Sequence, residues 1–138
     1  MALLAAFQTL LACITGDEDI LVGSPILGRN RSETQNLIGN FINTIVQRAK
    51  FSGDPVFVES LRQVRDHAIE AFANQDVPFE KLVEKLQPAR TLSHNPLFQV
   101  WFVLQNPEAE RQEFAGITTE SLNVESVVVR HDLQLTLW

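Results

Sequence analysis

The chain has little cysteine, little positive charge and no long apolar run. Cys13 is the single cysteine among 138 residues, so an internal disulfide and a metal site of several thiolates are both excluded. Lys and Arg number 11 against 17 Asp and Glu, which gives a net charge of -6. Because nucleic-acid binding depends on clustered basic side chains, this balance argues against a nucleic-acid partner.

Signals for membranes and export are missing as well. No apolar run reaches the roughly 20 residues that span a bilayer, which argues against a membrane protein. The apolar start has neither the basic region nor the small-residue cleavage site of a signal peptide. We therefore expect the protein to be cytoplasmic.

Histidine is scarce and scattered. The three histidines, His67, His94 and His131, are far apart in sequence, and no two histidines are adjacent. None has the spacing to another that metal ligands on one element show, so we predict no metal site. A Ser-His-Asp triad assembled from such separated residues has no support in the sequence.

What is present begins with an apolar helix. Apolar residues recur at helical spacing from Leu3 to Ile14, and Gly16 stands where a helix commonly ends. A helix with apolar residues on several faces needs covering. We therefore expect the chain to be a piece of a larger domain, and to be poorly soluble alone.

The next part of the chain alternates strands and a short helix. Residues 19–23 predict a buried strand that ends at Gly23-Ser24-Pro25. Ser32 and Gln35 form a possible capping box for a short helix through Leu37 or Ile38. Residues 41–51 are rich in β-branched side chains and predict a second strand.

Two helices and three strand patterns follow. Asp54-Pro55 predicts a helix start, and Pro78 and Pro88 bracket another helix. The first of these helices has one apolar stripe: Val58, Leu61, Val64, Ala68 and Phe72. Residues 97–104 predict an interior strand, 107–116 a charged loop, and 122–129 and 133–138 two further strands. The last strand reaches the end of the chain, so we expect an incomplete sheet.

Three short motifs are more specific than this pattern, because packing alone does not require them. The first is Gly39-Asn40-Phe41-Ile42-Asn43-Thr44, with Arg48 after it. The second is Asn74-Gln75-Asp76-Val77-Pro78-Phe79-Glu80. The third is Arg90-Thr91-Leu92-Ser93-His94-Asn95-Pro96-Leu97.

The order and spacing of these motifs resemble the condensation domains of nonribosomal peptide synthetases. Residues 74–80 match the family motif at every specified position, while Thr91 and His94 depart from the third motif. The resemblance covers nearly the whole chain and is to the C-terminal lobe, so residues 1–138 are expected to be a partial condensation domain. It implies a chloramphenicol-acetyltransferase-like fold, and we predict an α/β (α+β) two-layer sandwich with a mixed sheet and helices.

The resemblance also implies a function. Condensation domains join carrier-bound aminoacyl or peptidyl thioesters through an amide bond. The implied partners are donor and acceptor peptidyl carrier domains, an adjacent adenylation domain and an N-terminal lobe. Phosphopantetheine belongs to the carrier domains, and no cofactor is expected on this chain. The family's His-His-x-x-x-Asp-Gly motif is absent here, so we assign no catalytic residue and expect the chain alone to be inactive.

Among the motif residues, Asn43 and Thr44 are candidates for the substrate tunnel or its gating. The alternative for Asn43 is a structural amide that satisfies nearby backbone. The remaining motif residues are interpreted as structural: Gly39, Phe41, Arg48, Asn74, Gln75, Asp76, Pro78, Phe79, Glu80, Arg90, Ser93, Asn95, Pro96 and Leu97.

Particular structural roles are predicted for some of these residues. Asp76 and Glu80 are expected to stabilise the start of a helix, and Arg90, Ser93 and Asn95 to fix a loop or to contact the other lobe.

Several alternatives stay open. Arg29 and Arg31 are either solvated or contact a carrier domain or its phosphate. Within the superfamily, an epimerisation or heterocyclisation domain has similar motifs, and a free-standing acyltransferase that uses coenzyme A is more distant. A non-catalytic interaction lobe would also keep these motifs, because most of them hold the architecture together.

Overall fold

The computed structural model describes residues 1–53, 56–88, 94–105, 116–117 and 130–138. This part of the chain forms four helices and four strands in the order α1-β1-α2-β2-α3-α4-β3-β4. The helices are α1 (Ala2–Thr15), α2 (Ser32–Gln35), α3 (Phe57–Ala73) and α4 (Phe79–Leu86). The strands are β1 (Asp19–Ile26), β2 (Asn43–Lys50), β3 (Val100–Leu104) and β4 (Leu133–Leu137).

The four strands form one mixed sheet in the order β2-β1-β3-β4. β1 and β2 are antiparallel, with Ile20 opposite Ala49 and Val22 opposite Gln47. β1 and β3 are parallel, as are β3 and β4. The predicted mixed sheet with helices is therefore confirmed.

The hydrophobic core lies between this sheet and the helices α1 and α3. Alternate residues of a strand point to one face, and Ile20 and Val22 of β1 and Ala49 of β2 point to the helices. Phe7 of α1 meets Phe102 of β3 with ring centroids 6.0 Å apart. The buried core residues are Leu4, Ala5, Phe7, Leu11, Ile20, Val22, Ala49, Phe51, Val64 and Phe102.

A buried polar contact ties α1 to the edge of the sheet. Gln8 is fully buried, and its Nε2 donates to the carbonyl oxygen of Gln47 at 3.0 Å. A buried amide donor without an acceptor would be costly, so this hydrogen bond fixes the position of α1 over β2.

Several predicted elements are confirmed. α1 ends at Thr15, and Gly16 follows with a φ of 75°, a left-handed conformation that glycine adopts without strain. α4 ends at Leu86, before Pro88, as its bracketing prolines predict. The strand predicted at the end of the chain is β4.

The boundary of β1 was predicted wrongly. The strand does not end at Gly23 but continues to Ile26, with Ser24 opposite Ile45 and Pro25 opposite Thr44. Only Val22 and Gly23 pair with β3. Within the described residues, β1 therefore has a partner on one side only where Pro25 lies, and a residue without an N–H is tolerated at such an edge.

The short helix also differs from its prediction. α2 ends at Gln35 rather than at Leu37 or Ile38, and its N-cap is Arg31, without a side-chain hydrogen bond. Ser32 is thus the first helical residue, so the predicted capping box does not form. The Thr34 hydroxyl instead donates to the Arg31 carbonyl oxygen at 2.8 Å, a local bond typical of short polar turns.

α3 begins later than predicted, and its predicted apolar stripe is buried only in the middle, where Val64 and Ala68 are buried and Leu61 packs against the core. Its first residue is Phe57, after the extended N-cap Val56, so the start is two residues beyond Pro55. Asp54 and Pro55 themselves lie outside the described residues, as do 122–129, 107–115, Arg90 and Ser93.

Two members of the predicted apolar stripe of α3 are exposed. Val58 is 52% exposed and Phe72 is 40% exposed, while Ser60, Val64 and Ala68 are buried. The helix packs on β2 and on α1. The small side chains of Ser60 and Ala68 permit that close approach.

In the described part of the chain, no helix is long and apolar enough to cross a membrane.

Candidate functional site

An open cleft lies where β2 begins, and two of the three sequence motifs line it. Its volume is about 330 Å³. One wall, called the strand wall here, is residues 40–44; the other, called the turn wall, is residues 75–80 without Val77. Gly28 also lines the cleft. Segments more than thirty positions apart in sequence therefore form one surface.

Asn43 joins the two walls. Its Nδ2 donates to the carbonyl oxygens of Gln75 at 2.9 Å and of Val77 at 2.8 Å. Its Oδ1 accepts from the backbone N–H of Phe79 at 3.1 Å. The side-chain amide therefore makes hydrogen bonds in both its donor and its acceptor role, and it fixes the turn that precedes α4.

This contact explains how α4 begins. Pro78 is the N-cap, with an extended backbone, and proline offers no N–H and no side-chain acceptor. The backbone N–H of Phe79 is one of the donors that a helix start leaves without a partner in the helix. The Oδ1 atom of Asn43, on β2, accepts it. A residue distant in sequence thus performs the task that a local cap usually performs.

Asp76 does not cap α4, contrary to the prediction. The structure places its carboxylate on Asn30, whose Nδ2 donates to Oδ1 of Asp76 at 3.1 Å. Glu80 is exposed in the first turn of α4, where the partial positive charge of the helix start favours a carboxylate. Asn74 is exposed, and its Nδ2 donates to the Glu70 carbonyl oxygen at 2.9 Å, which closes the last turn of α3.

The remaining predicted residues of the strand wall have clear positions. Thr44 lines the cleft and lies opposite Pro25 in the sheet. Phe41 is half-buried and lines the cleft as well. Gly39 precedes the wall without lining it, and a β-carbon there would lie 3.2 Å from the Phe41 ring.

Arg29 organises the loop behind the strand wall. Its Nη1 donates to the carbonyl oxygens of Thr34 and, at 2.8 Å, of Leu37. Its Nη2 donates to the Gly39 carbonyl oxygen at 3.0 Å. The guanidinium carbon lies 4.4 Å from the centroid of the Phe41 ring, within the range of a cation–π contact.

Arg48 is remote from the cleft, although it belongs to the same motif. It forms a two-pronged ion pair with Asp19, at 2.8 Å from Nε and 2.6 Å from Nη2. Both side chains are about half exposed. The hydrogen bond from Arg48 lowers the pKa of Asp19, and the pair fastens β2 to β1.

The third motif does not line the cleft. It connects the segment before β3 to the segment before β4. Asn95 Nδ2 donates to the Arg130 carbonyl oxygen at 2.8 Å. Pro96 is exposed, and Leu97 has a φ of 71°, which places a branched side chain in the left-handed region. Arg90 and Ser93 of this motif lie outside the described residues.

An aromatic cluster fills the sheet face opposite the core. Phe98 contacts Phe79 at 5.5 Å and Trp101 at 5.7 Å between ring centroids. Trp101 and His131 stack at 4.7 Å with 5° between their planes. Gly23 lies beneath this cluster, since a β-carbon there would come within 2.3 Å of Phe98. The cluster connects the start of α4 to β3.

None of the three histidines lines the cleft. His67 Nδ1 lies 3.0 Å from the Arg48 carbonyl oxygen, and His94 Nδ1 lies 3.9 Å from Asp132 Oδ2. Burial lowers the pKa of His131, with Arg130 adding to the shift and Asp132 opposing it. The ionisable groups that do line the cleft are the carboxylates of Asp76 and Glu80.

Within the described ranges, no cluster of His, Cys, Asp and Glu has the arrangement of a metal site. Apart from the carboxylates of Asp76 and Glu80, the cleft lining has amide, hydroxyl, aliphatic and aromatic side chains. Such a surface can bind and orient an extended polar substrate through amide and backbone groups. It offers no imidazole to accept a proton.

The sequence left Arg29 as either solvated or in contact with a carrier domain, and it did not predict the contacts that residues 28–30 make around the cleft. In the structure the Arg29 guanidinium donates to backbone carbonyl oxygens of the chain itself. Gly28 lines the cleft, Arg29 holds the loop and Asn30 contacts Asp76. The glycine beside an arginine in a polar loop was the available signal, because glycine often marks a close approach of two backbone segments.

Comparison with known proteins gives one consistent result. A family model described as "Condensation domain" matches residues 1–138. The chain is 55% identical over 139 residues to a linear gramicidin synthase of Brevibacillus parabrevis, with 99% of this chain and 3% of that protein covered. It is 46% identical over 136 residues to bacitracin synthase 3 of Bacillus licheniformis, with 99% and 2% covered. The chain thus spans a small part of these relatives.

Solved structures agree in fold. A holo four-domain nonribosomal peptide synthetase, AB3403, bound to AMP and glycine superposes with a TM-score of 0.73 at 26% identity, over 75% of this chain and 8% of that one. An X-domain in complex with OxyB from teicoplanin biosynthesis superposes with a TM-score of 0.77 at 28% identity, over 96% of this chain and 29% of that one.

Proposed function

This chain belongs to the condensation domain family, and we propose from that premise that it is part of a nonribosomal peptide synthetase that forms amide bonds between carrier-bound thioesters. The observation that carries the proposal is the match of the family model over all 138 residues. It is supported by the cleft, because two motifs that carry the family resemblance meet there and share the Asn43 hydrogen bonds.

We further propose that the chain is the C-terminal lobe of that domain. The three motifs of this lobe are present in order, whereas the sequence contains no adjacent histidines. In this assignment an N-terminal lobe supplies the His-His-x-x-x-Asp-Gly motif. Donor and acceptor carrier domains deliver their substrates on phosphopantetheine arms, and an adenylation domain is a neighbour in the same protein.

The proposed reaction needs positioning more than activation. The acceptor amine attacks the donor thioester carbonyl, a C–N bond forms, the C–S bond breaks, and the amine proton is transferred so that the carrier leaves as a thiol. Holding both reactants in line replaces a bimolecular encounter and lowers the barrier by several kcal/mol, up to about 10 kcal/mol in favourable cases.

Asn43 and Thr44 are the residues of this chain that we place nearest to substrate. Both line the cleft, and Asn43 also holds the turn wall through three hydrogen bonds. The described lining contains no histidine, so this chain would supply a wall of the site while the proton acceptor comes from elsewhere.

A reconstitution assay tests the proposal. The complete protein encoded around this chain is incubated with aminoacyl-loaded donor and acceptor carrier domains, and amide product is followed by mass spectrometry. We expect product with the complete protein and none with residues 1–138 alone. Asn43→Ala in the complete protein should lower kcat roughly 10- to 100-fold, because misplacement of about 1 Å has costs of this size.

The control and the contrary outcomes are distinct. Arg62→Ala, which removes an exposed side chain of α3 outside the cleft lining, should leave the rate unchanged. Turnover by residues 1–138 alone would contradict the assignment to one lobe. A product with inverted stereochemistry or a heterocycle would identify an epimerisation or heterocyclisation domain, and turnover of a coenzyme A thioester without carriers would identify a free-standing acyltransferase.

A binding role is the second candidate. The X-domain that superposes over 96% of this chain was solved in complex with OxyB, another protein. A non-catalytic lobe would keep the same fold and motifs. Loaded carriers that bind the complete protein without amide formation would favour this role over catalysis.

A further inference from the structure

We propose that Arg29 is a positioning residue for the cleft: its guanidinium fixes the loop of residues 34–39 and the Phe41 ring, and so sets the distance between the strand wall and the turn wall. The inference deepens the proposed function, on which its kinetic consequence rests. The structural part of the inference does not depend on the reaction.

The contacts of Arg29 are those of a clamp rather than of a solvated side chain. Three of the five N–H donors of its guanidinium go to backbone carbonyl oxygens, on Thr34, Leu37 and Gly39. These acceptors are spread over six positions of the chain. One planar group therefore holds the end of α2 and the segment after it in a single arrangement.

The same guanidinium contacts the strand wall directly. Its central carbon lies 4.4 Å from the centroid of the Phe41 ring, and Phe41 lines the cleft. Two residues later, Asn43 makes the three hydrogen bonds that hold the turn wall. A shift of Phe41 would therefore be transmitted along the chain to Asn43.

The residues on either side of Arg29 contact the two walls separately. At Gly28, with a φ of 61°, a β-carbon would lie 2.0 Å from the Phe41 carbonyl oxygen, so the backbone there packs directly on the strand wall. Asn30 donates to Asp76 in the turn wall at 3.1 Å. Three consecutive residues thus touch both sides of the cleft, and Arg29 is the middle one.

The clamp requires arginine. Lysine carries the same charge, but its ammonium is a single point on a flexible stem and cannot reproduce the planar fork that reaches several acceptors. The hydrogen bonds to Leu37 and Gly39 are exposed, so water can replace them when the side chain is removed. Loss of Arg29 should therefore loosen the loop and the strand wall without unfolding the core.

The kinetic arm compares Arg29→Ala, Arg29→Lys and Arg62→Ala in the complete protein with loaded carrier domains. We expect both Arg29 variants to lower kcat roughly 10- to 100-fold. KM for either carrier should change less than about threefold, because the variants lose the positioning of the reactants and keep the binding of the ground state. Arg62, exposed on α3, is the matched control and should leave kcat unchanged.

The structural arm measures backbone hydrogen exchange in the same proteins. Residues 34–43 should exchange faster in both Arg29 variants, while α1 and α3 exchange as in the unsubstituted protein. Unchanged exchange in 34–43, or full recovery of exchange and kcat by Arg29→Lys, would overturn the clamp.

A fall in kcat that is matched by faster exchange in α1 and α3 would show general destabilisation and would also overturn it. If the unsubstituted protein forms no amide, the proposed function fails and the exchange arm alone decides on the clamp.

Discussion

The Oδ1 atom of Asn43, on the edge strand β2, accepts the backbone N–H of Phe79, the first residue of α4, at 3.1 Å. The amide nitrogen of the same side chain donates to two carbonyl oxygens of the preceding turn. A helix that has no capping side chain of its own is thereby capped by a residue of a strand, and three hydrogen bonds of that one residue help to hold the turn wall.

The first prediction concerns the stability of this contact. Asn43→Ala should lower the free energy of unfolding by about 1–3 kcal/mol, because it leaves part-buried donors and acceptors without partners. Asn43→Asp should lower it by a similar amount, since a carboxylate can accept from Phe79 but cannot donate to the Gln75 and Val77 carbonyl oxygens. Urea unfolding measures both.

Asn36→Ala is the control for this series, and its effect should stay within about 0.5 kcal/mol, as for most exposed substitutions. If Asn43→Asp proves as stable as the unsubstituted protein, the two donated hydrogen bonds contribute nothing.

The second prediction concerns the ion pair between Asp19 and Arg48. The hydrogen bond from Arg48 lowers the pKa of Asp19, so the folded state holds the carboxylate more firmly than the unfolded state does. The resulting stability is present above the unfolded pKa and is lost as the pH falls through the lower folded value. Asp19→Asn should therefore destabilise at pH 7 by at most about 1 kcal/mol, given how exposed the pair is.

The difference between Asp19→Asn and the unsubstituted protein should shrink as the pH falls below 3.8, the ordinary value for an aspartate. Added salt should reduce it as well. A difference that stays constant from pH 7 to pH 2 would show that the carboxylate charge is not its source.

The third prediction concerns His131, which stacks on Trp101. Burial lowers its pKa below the ordinary 6.5, so the unfolded state binds the proton more readily than the folded state. Stability should be greatest above pH 6.5 and should fall as the pH drops toward the folded pKa. His131→Phe keeps an aromatic ring and should remove this part of the pH dependence, measured as Tm at pH 8 and pH 5.

His94→Gln, at an exposed position, should keep the fall in Tm between pH 8 and pH 5. A steeper fall in His131→Phe than in the unsubstituted protein would reverse the sign of the effect and refute this explanation.

The fourth prediction concerns Gly23, where β1 passes under the aromatic cluster. A β-carbon there would lie 2.3 Å from Phe98 and 2.7 Å from Trp101, closer than atoms can approach. Gly23→Ala should therefore destabilise by about 1–3 kcal/mol, the usual cost of overpacking. Ser24→Ala, one residue further along β1, serves as the control. Equal stability of Gly23→Ala and the unsubstituted protein would mean that the aromatic cluster can move aside.

Local signals in the sequence were enough for several elements. α1 follows from its apolar spacing and Gly16, α4 from Pro78 and Pro88, and β2 from its β-branched residues. Each depends on interactions between residues close in sequence, which periodicity and turn chemistry report directly. The motif residues that make up the cleft walls were also recognisable, because their types and order are specific.

Contacts between distant segments decided the rest. β1 continues through Pro25 because that residue still lies opposite Thr44 of β2, while only Val22 and Gly23 pair with β3. α3 buries Ser60 and leaves Val58 exposed because of the way it packs on β2 and α1. Asp76 was expected to cap α4, yet the cap is Asn43, 36 positions away from Phe79. The sequence by itself determined which local elements form and which residues are distinctive. Only the tertiary structure decided their partners, because a hydrogen bond between remote segments depends on where the whole chain places them.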